Sequence, residues 1–199
     1  FGFASLTTNT ERKLNSLKSM AGKKLWHYLN EAGLSCGVVN VPMTYPPEPL
    51  NGFMVSGFMT PENATVFSYP QKISAELKAK FPHYSVDLET PVGQANSELF
   101  IDHLSKLNKT HFEAALWLAN KYQPDVLFFT SVLPDRLQHL YISYLQPNAK
   151  LKKSELAFWQ RLKEAYQQLD DCISKLIAHL QPKKVFVVSD HGFTVEEGA

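Results

Sequence analysis

Two short segments of the chain carry side chains that commonly bind divalent cations. Asp135 and His139 are four residues apart, and a helix places residues at that spacing on one face, with Cβ atoms roughly 5 to 6 Å apart. Asp190 and His191 are adjacent and precede Gly192, which permits a close approach of the backbone. Two carboxylates and two imidazoles suit Zn²⁺, Mn²⁺ or Fe better than Ca²⁺.

Each segment has a simpler explanation when it is taken alone. Asp135 follows Pro134 and could cap a helix with its carboxylate, while Asp190 and Gly192 are residue types favoured in the turn that ends a strand. The joint placement favours a metal site, because two predicted buried strands would bring both segments to the same edge of a sheet. A buried, unpaired carboxylate costs on the order of several kcal/mol, and a cation would offset that cost.

The elements that must position these side chains alternate between helices and apolar strands. Helices are predicted over residues 22–32, 71–80, 96–122, 135–145 and 154–180, with a possible break near Asn108 and a cap at Ser154, and strands over 36–41, 126–129 and 185–188. This order predicts an α/β domain with three layers, α/β/α, and a mostly parallel central sheet. Ligands of such sheets bind beyond the carboxyl ends of the strands.

Proline and glycine dominate residues 42–61, which are therefore predicted to form an ordered loop rather than a regular element. Within it, Tyr45 and Asn51 are candidates for shaping a substrate pocket, although a surface loop stiffened by proline explains them equally well. Trp26 occupies an apolar helical position and is expected in the core. His27 and the other histidines outside the two segments are expected to be structural.

Composition excludes several classes of function. The chain has 199 residues, with 20 Lys and Arg against 19 Asp and Glu and a formal net charge of +1, so no broad basic surface for nucleic acid is expected. No apolar run approaches the roughly 20 residues that cross a bilayer. Two cysteines are too few for a disulfide framework. These features favour a globular, cytoplasmic protein with reduced thiols.

The chain resembles the type I phosphodiesterase/nucleotide pyrophosphatase family of the alkaline phosphatase superfamily in three segments. Residues 134–139 (Pro-Asp-Arg-Leu-Gln-His) and 187–192 (Val-Val-Ser-Asp-His-Gly) look like two metal-binding motifs of that family. Residues 39–47, followed by Asn51-Gly52 and Ser56-Gly57, are similar to a loop of its archaeal and bacterial phosphohydrolase members. Motif order and spacing agree over nearly the whole chain.

This resemblance implies an alkaline-phosphatase-like fold and a hydrolase of small-molecule phosphoesters with two divalent metal ions. In such sites paired cations hold the attacking and leaving oxygens of the phosphoryl group. Asp135 and His139 map to ligands of one ion, and Asp190 and His191 to ligands of the other. Zn²⁺ is the expected ion, with Mn²⁺ or Fe as alternatives.

The resemblance also implies that part of the site lies outside the chain. The family's Thr or Ser nucleophile and its first-strand Asp would precede residue 1, and a further metal-binding His would follow residue 199. Residues 1–199 are therefore expected to be the central part of a single catalytic domain, truncated at both ends and inactive alone. The alternative is a non-catalytic scaffold or interaction domain that retains the fold.

Overall fold

A computed structural model describes residues 4–6, 12–14, 22–88, 98–146 and 151–194. The chain divides into two compact units, the first containing residues 1–87 and 114–130 and the second containing residues 88–113 and 131–199. Among the residues described, no helix combines the length and the apolar character needed to cross a membrane.

Helices and strands alternate along the chain. In order, the elements are β1 (Ala4–Leu6), β2 (Arg12–Leu14), α1 (Leu25–Glu31), β3 (Cys36–Val41), β4 (Gly52–Ser56), β5 (Ser68–Tyr69), α2 (Lys72–Lys80), α3 (Glu98–Tyr122), β6 (Val126–Phe129), α4 (Leu133–Tyr141) and α5 (Leu156–Leu180). A 3₁₀ turn follows α4 at Ile142–Leu145, and another precedes α5 at Lys153–Glu155. The first part of α3, residues 98–113, belongs to the second unit, and residues 114–122 belong to the first.

The first unit is built on a four-stranded sheet with the order β5-β4-β3-β6. Strand β3 is parallel to both β4 and β6, whereas the short strand β5 is antiparallel to β4. Strands β1 and β2 form a separate antiparallel pair. The mostly parallel sheet and the alternating helices confirm the predicted α/β class.

Helices cover both faces of this sheet. Side chains of successive strand residues point to opposite faces, so β3 and β4 contribute to two apolar clusters. One cluster joins the sheet to α2 and to the end of α3, through Val39, Phe53, Val55, Ile73, Leu77, Ala114, Ala115 and Leu118. The other joins it to α1, through Trp26, Cys36, Val38 and Met54. The first unit therefore has the three layers that the sequence predicts, and Trp26 is in the core as expected.

Strand β4 lies inside the segment that the sequence predicts to be a loop. Its residues Phe53, Met54 and Val55 are completely buried, and the strand pairs with both β3 and β5. The prediction is wrong because proline and glycine surround an apolar run that is too short to show a period of its own. The run becomes a strand because β3 and β5 pair with its backbone and helices pack on its side chains, and these partners lie elsewhere in the sequence.

The sequence predicts a buried strand over residues 185–188, and this prediction is also wrong. The segment belongs to no strand, and its side chains are 50% exposed at Val185, 82% at Phe186, 89% at Val187 and 86% at Val188. A strand requires a neighbour that accepts and donates its backbone hydrogen bonds. Hydrophobicity alone predicts burial, but it does not supply that neighbour.

The structure resolves one open point about the helices and corrects another. Helix α3 is continuous through Asn108, whose buried side chain accepts a hydrogen bond from the Ser131 hydroxyl at 2.7 Å. Helix α5 has Glu155 rather than Ser154 at its N-cap position. The Glu155 carboxylate accepts the backbone N–H of Lys152 at 2.7 Å, so the acidic side chain satisfies a donor at this helix end.

Close backbone packing at the carboxyl ends of β3 and β4 leads to a test of this fold. A Cβ atom on Gly57 would lie 2.3 Å from the carbonyl oxygen of Asn40 and 2.4 Å from that of Val41. We expect Gly57→Ala to lower the free energy of unfolding by about 2 to 4 kcal/mol, because the two strands must separate to admit the methyl group. Denaturant titration measures this change.

The control is Gly192→Ala in the second unit, since a Cβ atom there meets nothing within 4 Å. Its free energy of unfolding should stay within about 0.5 kcal/mol of the wild type. Equal losses in the two variants would contradict the packing described for Gly57.

Candidate metal centre

Helix α4 positions the first two candidate ligands. Its residues Leu133, Leu137 and Tyr141 are buried, and the Tyr141 ring packs edge to face on Phe158 of α5, with ring centroids 5.0 Å apart. Asp135 and His139 lie elsewhere on the helix, with side chains 42% and 62% exposed. Because the two residues are four positions apart on α4, the helix presents a carboxylate and an imidazole side by side.

His191 joins these two residues from a distant part of the chain. The Nε2 atom of His139 lies 3.4 Å from Oδ1 of Asp135, and the Nε2 atom of His191 lies 3.5 Å from the same oxygen. One ligand atom from each of the three residues falls within 4.8 Å of the other two. The structure therefore brings the two predicted segments, 134–139 and 190–192, into one cluster within the second unit.

These distances fit a shared cation better than hydrogen bonds. An N–H···O hydrogen bond normally spans about 2.7 to 3.2 Å, so both contacts to Asp135 Oδ1 are longer than that range. Bonds of about 2.0 to 2.1 Å to a tetrahedral Zn²⁺ place neighbouring donor atoms about 3.3 to 3.4 Å apart. Both distances to Asp135 Oδ1 are close to this spacing, and the three donor atoms all lie within 4.8 Å of one another.

The His191 ring is also oriented for ligation. Its Nδ1 atom lies 3.2 Å from the carbonyl oxygen of Gly192, which can only accept a hydrogen bond. In the neutral ring Nδ1 therefore carries the proton, and the lone pair of Nε2 faces Asp135. Metal-binding histidines commonly donate their other ring N–H to a carbonyl or carboxylate in this way.

Asp190 stays outside the cluster. Its side chain is 87% exposed, and its Oδ2 atom lies 3.7 Å from Nε2 of His191. The resemblance assigns Asp135 and His139 to one ion and Asp190 and His191 to another. In the structure, His191 instead lies with Asp135 and His139. Asp190 lies in a bend rather than in a strand, and its exposed carboxylate remains beside the His191 ring at the edge of the cluster.

Asp135 and Asp190 are more exposed than the sequence predicts. The sequence analysis expects both carboxylates to be buried, with a cation offsetting the cost of burial. At 42% and 87% exposure they remain solvated and carry no such cost. The support for a cation therefore comes from the converging donor atoms. Among the described residues, Asp135, His139 and His191 form the one group of at least three His, Cys, Asp or Glu side chains whose donor atoms converge in this way.

Tyr45 and Asn51 occupy different parts of the first unit. Tyr45 is half-buried in the connection that leaves the carboxyl end of β3. Asn51 immediately precedes β4, and its carbonyl accepts the backbone N–H of Cys36 at 2.8 Å, where both parallel strands begin. Because ligands of parallel sheets bind beyond the opposite, carboxyl ends, the position of Asn51 argues against a substrate contact and that of Tyr45 is compatible with one.

His27 has a carboxylate partner that the sequence did not reveal. Its Nε2 atom lies 2.7 Å from Oε1 of Glu48, which also accepts the indole N–H of Trp26 at 2.8 Å. These contacts fasten the connection between β3 and β4 onto α1, so the role of His27 is structural, as expected. Helical spacing could not identify this partner, because Glu48 lies 21 residues away in a loop.

Phe193 is a further residue of the cluster that the sequence analysis missed. Its ring centroid lies 4.7 Å from that of His139 and 4.8 Å from that of His191. The only signal in the sequence is its position two residues after His191.

Comparison with known proteins identifies one relationship. A family model described as Type I phosphodiesterase / nucleotide pyrophosphatase matches residues 4–198. Searches of curated proteins and of solved structures give no match.

The donor cluster predicts measurable binding of Zn²⁺. In the full-length protein stripped of metal, His139→Ala should weaken Zn²⁺ binding by about 100-fold or more, since it removes a ligand and not merely a supporting residue. Isothermal titration calorimetry measures the affinity. His103→Ala, which removes an exposed imidazole from α3, is the matched control and should bind as the wild type does. Wild-type affinity in both variants would contradict the ligand assignment.

Proposed function

Because the chain belongs to the Type I phosphodiesterase / nucleotide pyrophosphatase family, we propose that it forms part of a metal-dependent hydrolase of small-molecule phosphoesters. The observation that carries this proposal is the convergence of His139 and His191 on one oxygen of Asp135. Family membership suggests phosphoester hydrolysis, and the donor cluster supplies residues able to hold the cation that such chemistry commonly uses.

In this proposal Asp135, His139 and His191 hold one divalent cation. Zn²⁺ suits a set of one carboxylate and two imidazoles, and Mn²⁺ or Fe are the alternatives. When bound, the cation polarises a phosphoryl oxygen and stabilises the charge that develops on it. Asp190, at the rim of the cluster, is the residue we assign to a second cation, which would require further ligands from elsewhere in the natural protein.

The exposure of the ligands favours catalysis over a structural role. Structural zinc sites are closed by their protein ligands, whereas catalytic sites keep one position open. The side chains of the three ligands found among the described residues are between 42% and 62% exposed, so a phosphoester could approach from solvent. Asp135 contributes the negative charge of the donor set, and the two histidines contribute neutral nitrogen donors.

Hydrolysis of model phosphoesters tests the proposal. The natural full-length protein, stripped and then reloaded with Zn²⁺ or Mn²⁺, should cleave a p-nitrophenyl monoester or diester. Asp135→Ala should lower kcat/KM by about 100-fold or more, because it removes the ligand shared by both histidines. Its melting temperature should change little, since this side chain is solvated and does not pack in the core.

Asp170→Ala is the matched control, because it removes an exposed carboxylate from α5. Its kcat/KM should equal that of the wild type. Loss of activity in both variants alike, or full activity in Asp135→Ala, would contradict the assigned site. Binding of metal without any hydrolysis would instead favour the non-catalytic scaffold.

A further inference from the structure

The segment that carries His191 must be held against α4 if its imidazole is to reach Asp135. Residues 181–194 form neither a helix nor a strand, so no regular backbone hydrogen-bond pattern positions them. Throughout this stretch the residues are exposed, with the single exception of Phe193, which is partly buried. The one side chain of the segment that is withdrawn from water is thus an aromatic ring two residues after a candidate ligand.

The Phe193 ring contacts both imidazoles of the cluster. It lies nearly perpendicular to the His139 ring, with an interplanar angle of 89° and a centroid distance of 4.7 Å. Its angle to the His191 ring is 65° at 4.8 Å, and the two imidazoles are themselves 6.1 Å apart. Edge-to-face contacts at these distances are among the favourable arrangements of aromatic rings.

Without this contact the His139 imidazole would have considerable rotational freedom, and His191 would keep only the contact of its Nδ1 atom with the Gly192 carbonyl oxygen. The His139 and His191 side chains are 62% and 46% exposed, and exposed side chains interconvert between rotamers within nanoseconds. A cation can bind only when both Nε2 atoms face Asp135 at once, so each additional rotamer lowers the population that is competent to bind. A ring packed against both histidines limits that freedom.

We propose that Phe193 is a positioning residue of the candidate metal centre. It holds the imidazoles of His139 and His191 in the orientation in which both face Asp135, and it thereby raises the affinity of the centre for a divalent cation. This inference rests on the proposed function, because it requires that the cluster binds metal.

The test compares Phe193 variants of the natural full-length protein. Zn²⁺ affinity is measured by competition with a chromophoric chelator, and the geometry of the site by the visible absorption of bound Co²⁺. Phe193→Ala should weaken Zn²⁺ binding by about 10-fold or more, the range found when a supporting residue of a metal site is lost. It should also weaken the intense absorption of tetrahedral Co²⁺. Phe193→Tyr, which keeps the ring, should retain both properties.

Phe193→Leu separates orientation from simple packing. It preserves apolar volume but provides no perpendicular ring, so we expect an affinity loss similar to that of the alanine variant with an unchanged melting temperature. Wild-type affinity and absorption in Phe193→Ala, or a loss in Phe193→Tyr equal to that in Phe193→Ala, would overturn the inference.

Two outcomes distinguish this inference from the proposal on which it rests. If the wild type takes up no Zn²⁺, the proposed metal centre itself fails. If the wild type binds, His139→Ala does not and Phe193→Ala binds like the wild type, the metal centre stands and only the role of Phe193 is wrong.

Discussion

The candidate site depends on one carboxylate oxygen that faces two imidazole nitrogens. Asp135 Oδ1 lies 3.4 Å from His139 and 3.5 Å from His191, and all three side chains are substantially exposed. Water screens exposed ion pairs so effectively that each contributes only about 0 to 1 kcal/mol. Even between charged groups such an attraction is therefore too weak to assemble the cluster, and the elements that carry the side chains must hold them in place.

Two kinds of backbone hold the ligands. Helix α4 presents Asp135 and His139 at a fixed spacing, and its buried face, which includes Leu137, anchors it in the second unit. The other ligand comes from residues 181–194, which form neither a helix nor a strand. There the Phe193 ring packs against the His191 ring, and Nδ1 of His191 contacts the carbonyl oxygen of Gly192. Helical spacing thus positions two of the ligands, and local contacts position the third.

Sequence patterns predicted the features that depend on local chemistry. The apolar run of β3 and the spacing of Asp135 and His139 needed no knowledge of distant residues. Three of the failures involve neighbours that are remote in sequence. Strand β4 is a strand because β3 and β5 pair with it, residues 185–188 have no such partner among the described residues, and His27 meets Glu48 only because the connection after β3 folds back onto α1.

The apolar core of the second unit bears on whether a cation there would serve folding or catalysis. Small domains that need a metal to fold generally lack an adequate apolar core and enclose the ion with four ligands. Here α4 and α5 pack through aromatic side chains, and residues such as Leu133 and Leu162 are completely buried. The donor cluster instead lies at the solvent-exposed side of α4. A cation held there would therefore contribute little to folding, which fits the catalytic role that we propose.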